Sequence, residues 1–437
     1  MRALLINPSI YDFAAYSFWS SPMGLLYMGS LLRRNGIEID LLDCTRVVES
    51  KRKNDGRAPF VKEIVPNPPS LKGIKKRFKR YGLSRENLTK ELSQMEAPDV
   101  ILITSIMTYW YPGVVEALEA AKETFPSSKI VVGGIYPSLC FHHASQVLEG
   151  ADLIVGNRET KKFYAFVETT FNKALPFKPS PYDLDCMPYP CHDLYSTIPF
   201  VPLITSFGCM YRCTYCATSF MHPRIARRLP ESVIDEIRHW HGYGVNKYVL
   251  YDDNFLYRSE VYARPLLEGI AKLPFPIDMY NPNALNGALM DNDLALLLRR
   301  AGFKEVRIGL ESAQPVMQKS TGGKLDLTRF EGAVASLLRA GFTGDQIFAY
   351  ILAGLPQQRG EEVKHAIDYV LRLGIQPYIA EYTPIPHTRL FEQFQHNARF
   401  PIAEDPLFQN NALFPFAWEG FTEKDLELLK LYVKTKK

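Results

Sequence analysis

Three observations predict an α/β chain in which a flavodoxin-like, doubly wound domain precedes a partial (β/α)6 barrel. Apolar strand-like runs alternate with helical periodicity over residues 1–160, a Pro-rich stretch fills 172–200, and six further strand–helix units run from 201 to 385. Strands joined by helices of crossover length form parallel sheets. Covered on both faces, such strands appear as continuous apolar runs rather than as alternation.

In the first block the strand candidates are ALLINP (3–8), IEIDLLD (37–43), DVILITS (99–105), KIVVGG (129–134) and ADLIVG (151–156). Helical spacing marks 23–36 and 113–125, and Gly36 stands where a helix C-cap favours a residue without Cβ. Five such strands imply a doubly wound domain over 1–171. Residues 51–97, polar and Pro-containing, interrupt the pattern as an insertion. The Pro-rich residues 172–200 are expected to run extended as a linker, because Pro fixes φ and removes a backbone donor.

In the second block the strands are expected at 202–208, 247–253, 277–283, 305–312, 347–354 and 377–385, with helices at 232–244, 262–273, 291–302, 326–341 and 361–374. Six successive units over 201–385 suggest a partial barrel, a fold that presents its chemistry at the C-terminal ends of its strands. Residues 386–437 form a C-terminal extension containing the aromatic stretch FPFAWEGF (414–421).

Bulk properties narrow the function classes. With 46% hydrophobic and 22% charged residues, the 437-residue chain has ordinary globular composition. A net charge of +4 gives no indication of a nucleic-acid binder. The N-terminus MRALLINPS lacks a secretory h-region, and no uncharged apolar run approaches the ~20 residues of a membrane span. A cytoplasmic location is therefore expected. Seven cysteines, an odd number, argue against a disulfide framework.

Three of those cysteines form one motif, Cys209-Met-Tyr-Arg-Cys213-Thr-Tyr-Cys216, directly after the first barrel strand. Three thiolates on one tight loop can ligate three irons of a [4Fe–4S] cluster and leave the fourth open to a second molecule. The competing assignment is zinc, which closes with four ligands. Here no second cysteine pair follows, and His222 is the only close candidate for a fourth.

C-x-x-x-C-x-x-C after a barrel's first strand resembles the radical S-adenosylmethionine superfamily. The resemblance implies that S-adenosylmethionine (SAM) chelates the open iron through its methionyl amine and carboxylate. One electron then cleaves its sulfonium to a 5′-deoxyadenosyl radical that abstracts hydrogen from substrate. It implies Tyr215 beside the adenine, and Asp252 and Asp253, in Asp252-Asp253-Asn254, at the methionyl amine. Asn281 and Asn283 end the third strand. Gly309-Leu310-Glu311-Ser312 resembles the family's G-[IL]-E-S segment, placing Glu311 and Ser312 near ribose and methionyl group. Gly354-Leu355-Pro356 resembles its G-L-P segment, placing Gly354 against the adenine. Bottom-up, Asp252 could instead cap a turn and Glu311 could sit in a structural ion pair.

A doubly wound domain ahead of such a barrel resembles the cobalamin-binding class of these enzymes. The matching features are NPS (7–9), Pro22-Met23-Gly24-Leu25, Asp43, ITS (103–105), Gly133-Gly134, DLIVGNRE (152–159) and the bridge LDCMPYP (184–190). The D-x-H-x-x-G motif that supplies a lower His ligand in many cobalamin proteins is absent. Gly133 and Gly134 would let the backbone approach the corrinoid's nucleotide tail. The aromatics Tyr109, Trp110 and Tyr111 either line a corrin face or pack internally, and the six basic residues of 72–80 either bind an anion or form a solvated helix face.

The expected function is a radical SAM enzyme that methylates an unactivated carbon of a small molecule with the help of cobalamin. The expected cofactors are a [4Fe–4S] cluster, SAM and cobalamin, and the expected partner is a reducing electron donor such as flavodoxin or ferredoxin. The alternatives are a radical rearrangement, cyclisation or coupling without methyl transfer, and a zinc-bearing binding protein on the same fold.

Overall fold

The computed structural model describes residues 1–157 and 159–436; Arg158, inside the 152–159 stretch, and Lys437 lie outside the described residues. The chain divides into two compact units, Met1–Pro199 with Ile402–Ala412, and Phe200–Pro401 with Leu413–Lys437.

The first unit is built on a five-stranded parallel sheet of β1 (Arg2–Asn7), β3 (Glu38–Asp43), β6 (Val100–Ile103), β7 (Lys129–Val132) and β8 (Leu153–Ile154), in the order β3-β1-β6-β7-β8. Successive side chains of a strand point to opposite faces. Accordingly Leu4, Ile6, Ile101 and Ile103 enter one core cluster with helix Tyr111–Thr124, while Ala3, Leu5, Val100 and Leu102 enter another with helices Met23–Arg34 and Thr160–Phe171. The sheet is thus doubly wound, and its strand order reverses between β1 and β6, where such folds open a ligand crevice.

The insertion is narrower than expected. Helix Arg85–Ser93, capped by the Ser84 side chain on the N–H of Asn87, is the crossover between β3 and β6, with only Leu88 and Leu92 buried. Upstream of it, β4 (Lys62–Ile64) and β5 (Lys79–Tyr81) pair antiparallel with β2 (Ile10–Asp12) in the order β2-β5-β4. The basic run ends in strand β5 and forms no helix. Lys79 donates to the Phe13 carbonyl at 2.5 Å, Lys76 to the Ala412 carbonyl, and Arg80 pairs with Glu63.

The Pro-rich stretch is not a free tether either. The Asn35 side chain brackets Phe177, donating to its carbonyl at 2.9 Å and accepting its N–H at 3.0 Å, and buried Cys191 donates to the Leu26 carbonyl at 3.1 Å. The Tyr195 hydroxyl donates to Asp43 at 2.7 Å. These contacts seal the stretch along the first unit.

In the second unit β9 (Val201–Leu203), β12 (Lys247–Leu250) and β13 (Asp278–Tyr280) form one parallel group. The other comprises β14 (Val306–Glu311), β15 (Ile347–Ala353) and β16 (Gln376–Glu381). Parallel bridges Met279↔Phe303 and Leu285↔Ile308 lie at the junction of the two groups. There Asn281, fully buried, replaces the missing ladder: its Nδ2 donates to the Arg307 carbonyl at 2.9 Å and its Oδ1 accepts the Arg307 N–H at 3.2 Å. The six strands follow one another in chain order, as a partial (β/α)6 barrel requires. A short antiparallel pair, β10 (Ser206–Phe207) with β11 (Ala226–Arg227), flanks the cysteine loop. Among the described residues no helix is long and apolar enough to cross a membrane.

Candidate active site

The loop after β9 carries the three cysteines, and its backbone is tied down on both sides. The Thr214 N–H donates to the Thr321 carbonyl at 3.0 Å, and the Thr214 carbonyl accepts the Leu390 N–H at 2.9 Å. Cys209, Cys213 and Cys216 line a single cavity of about 350 Å³ together with Tyr215, Asp253, Asn283 and Glu311. Seven of the sequence-predicted residues are therefore brought together, contributed by the ends of four successive barrel strands.

The cavity chemistry fits an iron–sulfur cluster. The Asn254 amide donates to Cys209 Sγ at 3.5 Å, and Cys216 Sγ donates to the Thr218 hydroxyl at 3.2 Å. Amide donors to sulfur are a usual means of stabilising and tuning cluster thiolates. Burial pushes the Cys209 and Cys213 thiols up, so that bound iron would have to displace their protons. Among the described residues no three His, Cys, Asp or Glu side chains are placed to hold a single metal ion. Three cysteines that line one cavity without meeting at a point suit a cubane, in which each thiolate takes its own iron, better than tetrahedral zinc.

The carboxylates divide sharply. Asp252 and Asp253 are neighbours, yet only Asp253 lines the cavity. Asp252 turns into the core, where it accepts the Thr205 N–H at 2.8 Å and the hydroxyls of Thr205 at 2.5 Å and Ser206 at 2.6 Å. Burial lifts its pKa to about 6. Its place is a brace between β9 and β12. Asp252→Ala is expected to cost about 3 kcal/mol, the scale for orphaning several buried donors, seen as an earlier denaturant transition. An unchanged transition would show that the brace is dispensable. Asp253 instead accepts the Gly208 N–H at 2.8 Å, directly before Cys209, and the Thr218 hydroxyl at 3.4 Å.

Glu311 ends β14 in the left-handed region, φ 65°, after a register shift in the β14–β15 pairing. A non-Gly residue held there stores backbone strain of about 1 kcal/mol or more, which proteins tolerate mainly at functional sites. Its Oε1 lies 2.6 Å from Lys324 Nζ. Burial opposes the Lys324 charge, but Glu311 and the Cys213 thiol outweigh it and hold the ammonium above the ordinary lysine range. Burial, with Glu311 beside it, pushes the Tyr215 hydroxyl upward.

Four predicted residues lie elsewhere. Asn281 and Asp252 are the structural links described above. Ser312 is buried, its Oγ accepting the Gln314 N–H at 3.1 Å and its carbonyl the Gln318 amide at 2.8 Å. Gly354 lies against Phe414, whose ring a Cβ would meet at 2.6 Å, and donates to Gln358 at 2.9 Å. Sequence reasoning missed Lys324 and Asn286, both in the cavity wall. The only signal for Lys324 is the turn Gly322-Gly323-Lys324, and none marks Asn286.

At the strand ends of the first unit, Gly133 and Gly134 behave differently. Gly134, φ 101°, packs so closely that a Cβ would stand 2.4 Å from the Ser105 carbonyl oxygen. Its lack of side chain serves the β6–β7 junction. At Gly133 a Cβ would meet only Val155, in ordinary van der Waals contact at 3.9 Å, so a side chain could be accommodated there. The three aromatics after β6 turn inward: Tyr109 is buried, Trp110 donates to Asp12 at 2.7 Å, and Tyr111 donates to Asp405 at 3.1 Å and stacks on Tyr136.

A partial barrel with a three-cysteine loop at its mouth is the arrangement that an iron–sulfur cluster with an open iron would need. Residues 203–370 match the model of the radical SAM superfamily, so that this stretch is a radical SAM domain. The chain is 27% identical over 288 residues, 62% of its length, to bacteriochlorophyllide d C-12(1)-methyltransferase of Chlorobaculum tepidum, of whose length the match covers 60%. It is 23% identical over 440 residues to cytidylyl-2-hydroxyethylphosphonate methyltransferase of Streptomyces wedmorensis, covering 85% of this chain and 77% of that one. Its fold is similar to the structure of the radical SAM methyltransferase TsrM from Kitasatospora setae with cobalamin and a [4Fe–4S] cluster bound. The TM-score is 0.67 at 14% identity, covering 93% of this chain and 85% of that one.

Proposed function

We propose that the chain is a cobalamin-dependent radical SAM methyltransferase acting on an unactivated carbon of a small molecule. In this reading Cys209, Cys213 and Cys216 hold the cluster, and Asp253, Asn283, Glu311 and Tyr215 position SAM. The N-terminal unit, 1–171 of the sequence-defined division, holds cobalamin over its strand ends near Gly133. The observation that carries the reading is the single cavity shared by all three cysteines and the two carboxylates Asp253 and Glu311. When bound, the cluster supplies one electron for reductive cleavage of SAM and the corrinoid carries the methyl group. The methyltransferase relatives and the cobalamin-bound TsrM fold support the second half of that statement.

The chain's own residues do two things. The clamped loop fixes the thiols and leaves no fourth protein ligand in the motif. Asp253 and Glu311 put negative charge where a sulfonium and an ammonium have to lie. A low-potential one-electron donor of the flavodoxin or ferredoxin kind would supply the reducing equivalent.

Asp253→Ala and Glu311→Ala are expected to retain the cluster absorbance and to weaken SAM binding by about 1–3 kcal/mol each, the scale of a lost charge-assisted contact. Calorimetry on the anaerobically reconstituted protein measures this, and unchanged affinity in both would remove SAM from this cavity. Product analysis separates methyl transfer from rearrangement: only the former yields S-adenosylhomocysteine alongside 5′-deoxyadenosine.

A further inference from the structure

Charge is spread unevenly along the chain. Residues 46–80 carry twelve Lys and Arg against three Asp and Glu, a net charge of +9, so the remainder of the +4 chain stands at −5. This stretch forms β4 and β5 of the small antiparallel sheet, with the loops before and between them. Its three carboxylates are taken up by its own arginines: Glu49 by Arg52 at 2.5 Å, Asp55 by Arg57 at 2.6 Å, and Glu63 by Arg80. Arg46 pairs with Glu91 at 2.8 Å. Lys51, Lys53, Lys62, Lys72, Lys75 and Arg77 are exposed, and none has a carboxylate partner among the described residues. Burial holds the Lys79 ammonium below the ordinary lysine range, and the charges of Lys62 and Arg77 lower it further against the pull of Asp12. These cations therefore feel one another's field.

Apolar groups stand among them. Strand β4 is an open edge of its sheet, and all three of its residues face solvent. Ile64 is 58% exposed on the same side of the strand as Lys62, and Tyr16, in the loop after β2, is 78% exposed.

The type of cation decides between partners. Recognition of nucleic acid favours the bidentate fork of Arg, and protein interfaces are enriched in Arg and depleted of Lys. Here every arginine but Arg77 is already ion-paired, and five of the six unpaired cations are lysines. The flexible point charge of lysine suits a diffuse layer of anionic headgroups, into which exposed apolar side chains also fit. We infer that the 46–80 lobe is a peripheral docking surface for an anionic membrane. Its hold is electrostatic and needs no spanning helix, so it is reversible and sensitive to salt.

Full-length protein is co-sedimented with vesicles of phosphatidylcholine, and with vesicles of phosphatidylcholine and phosphatidylglycerol in equal parts. Binding to the mixed vesicles alone is expected. Raising the salt from about 0.1 M to about 1 M shortens the screening length from about 10 Å to about 3 Å and should release most of the protein. Lys72→Gln, Lys75→Gln and Arg77→Gln combined should weaken binding about 100-fold, at about fivefold for each cation near an anionic surface. Ile64→Ser should weaken it about 3- to 10-fold. Lys272→Gln, Lys319→Gln and Lys434→Gln combined remove the same charge from exposed positions of the second unit and should leave binding unchanged. Equal binding to both vesicle types, binding to neither, or equal loss in the two triple variants overturns the inference. So does binding to an acidic protein such as flavodoxin, or to duplex DNA, in place of the mixed vesicles, which would assign the lobe to that partner. The lipid and salt dependence of the wild-type protein decides the question even if a triple variant fails to fold.

Discussion

Replacing any one of Cys209, Cys213 and Cys216 by Ala should abolish the broad visible absorbance of the reconstituted protein and reduce SAM cleavage to background. Each thiol lines the one cavity, and the loop is clamped through Thr214 to Thr321 and Leu390, so no other cysteine can move in. The remaining cysteines, Cys44, Cys140, Cys186 and Cys191, all lie in the first unit. A cubane that loses one of three protein ligands loses its fixed open iron along with its stability. The effect should therefore be all-or-none, unlike the graded losses at Asp253 and Glu311. Anaerobic iron and sulfide reconstitution followed by visible spectroscopy reads it out, and a full-strength spectrum from any single variant would remove that cysteine from the ligand set.

The second large effect is expected at Gly133. Wild-type protein titrated with hydroxocobalamin and desalted should retain corrinoid, whereas Gly133→Leu should retain little while keeping its cluster spectrum. The reason is steric: Gly133 directly follows β7 on the side where a doubly wound sheet takes its ligand, and a Cβ there would meet only Val155, at 3.9 Å, so Leu can be built on this backbone and would project where the corrinoid is proposed to lie. Gly134→Leu is not an equivalent probe. Its Cβ would collide with the Ser105 backbone, and the left-handed φ adds strain, so it should damage the unit itself. If the wild-type protein releases all corrinoid, methyl transfer falls and the radical chemistry stands. Equal retention by Gly133→Leu would move the corrinoid elsewhere.

The fold was legible where burial on both strand faces forces a continuous apolar run. All eleven expected sheet strands are present, because VILI at 100–103 or KIVV at 129–132 can scarcely be anything else. The helix Arg85–Ser93 was not legible, because RENLTKELS buries only Leu88 and Leu92 and its polar surface hides the period. Nor was the seal of 172–199 on the first unit, since single contacts such as Asn35 to Phe177 leave no trace in composition.

At the site, the motif cysteines were the easiest residues to find, because their spacing is set by the chemistry itself. Assigning roles to the strand-end residues needed a precision that pattern cannot supply. Asp252 and Asp253 differ by one position, and one step along a strand end sends a side chain to the opposite side, one into the core and one into the cavity. Lys324 comes from the turn between helices Pro315–Thr321 and Leu327–Arg339 and Asn286 from the loop after β13, where nothing periodic constrains a residue, and only the three-dimensional structure brings them to the cavity.

The account turns on one measurement. Protein carrying its reconstituted cluster is incubated anaerobically with SAM and a strong one-electron reductant, and 5′-deoxyadenosine is quantified by liquid chromatography in wild type and in Cys213→Ala. The account predicts reductant-dependent 5′-deoxyadenosine from the wild-type protein and none from the variant. Wild-type protein with an intact cluster that forms no 5′-deoxyadenosine, or Cys213→Ala that forms it at the wild-type rate, would contradict it.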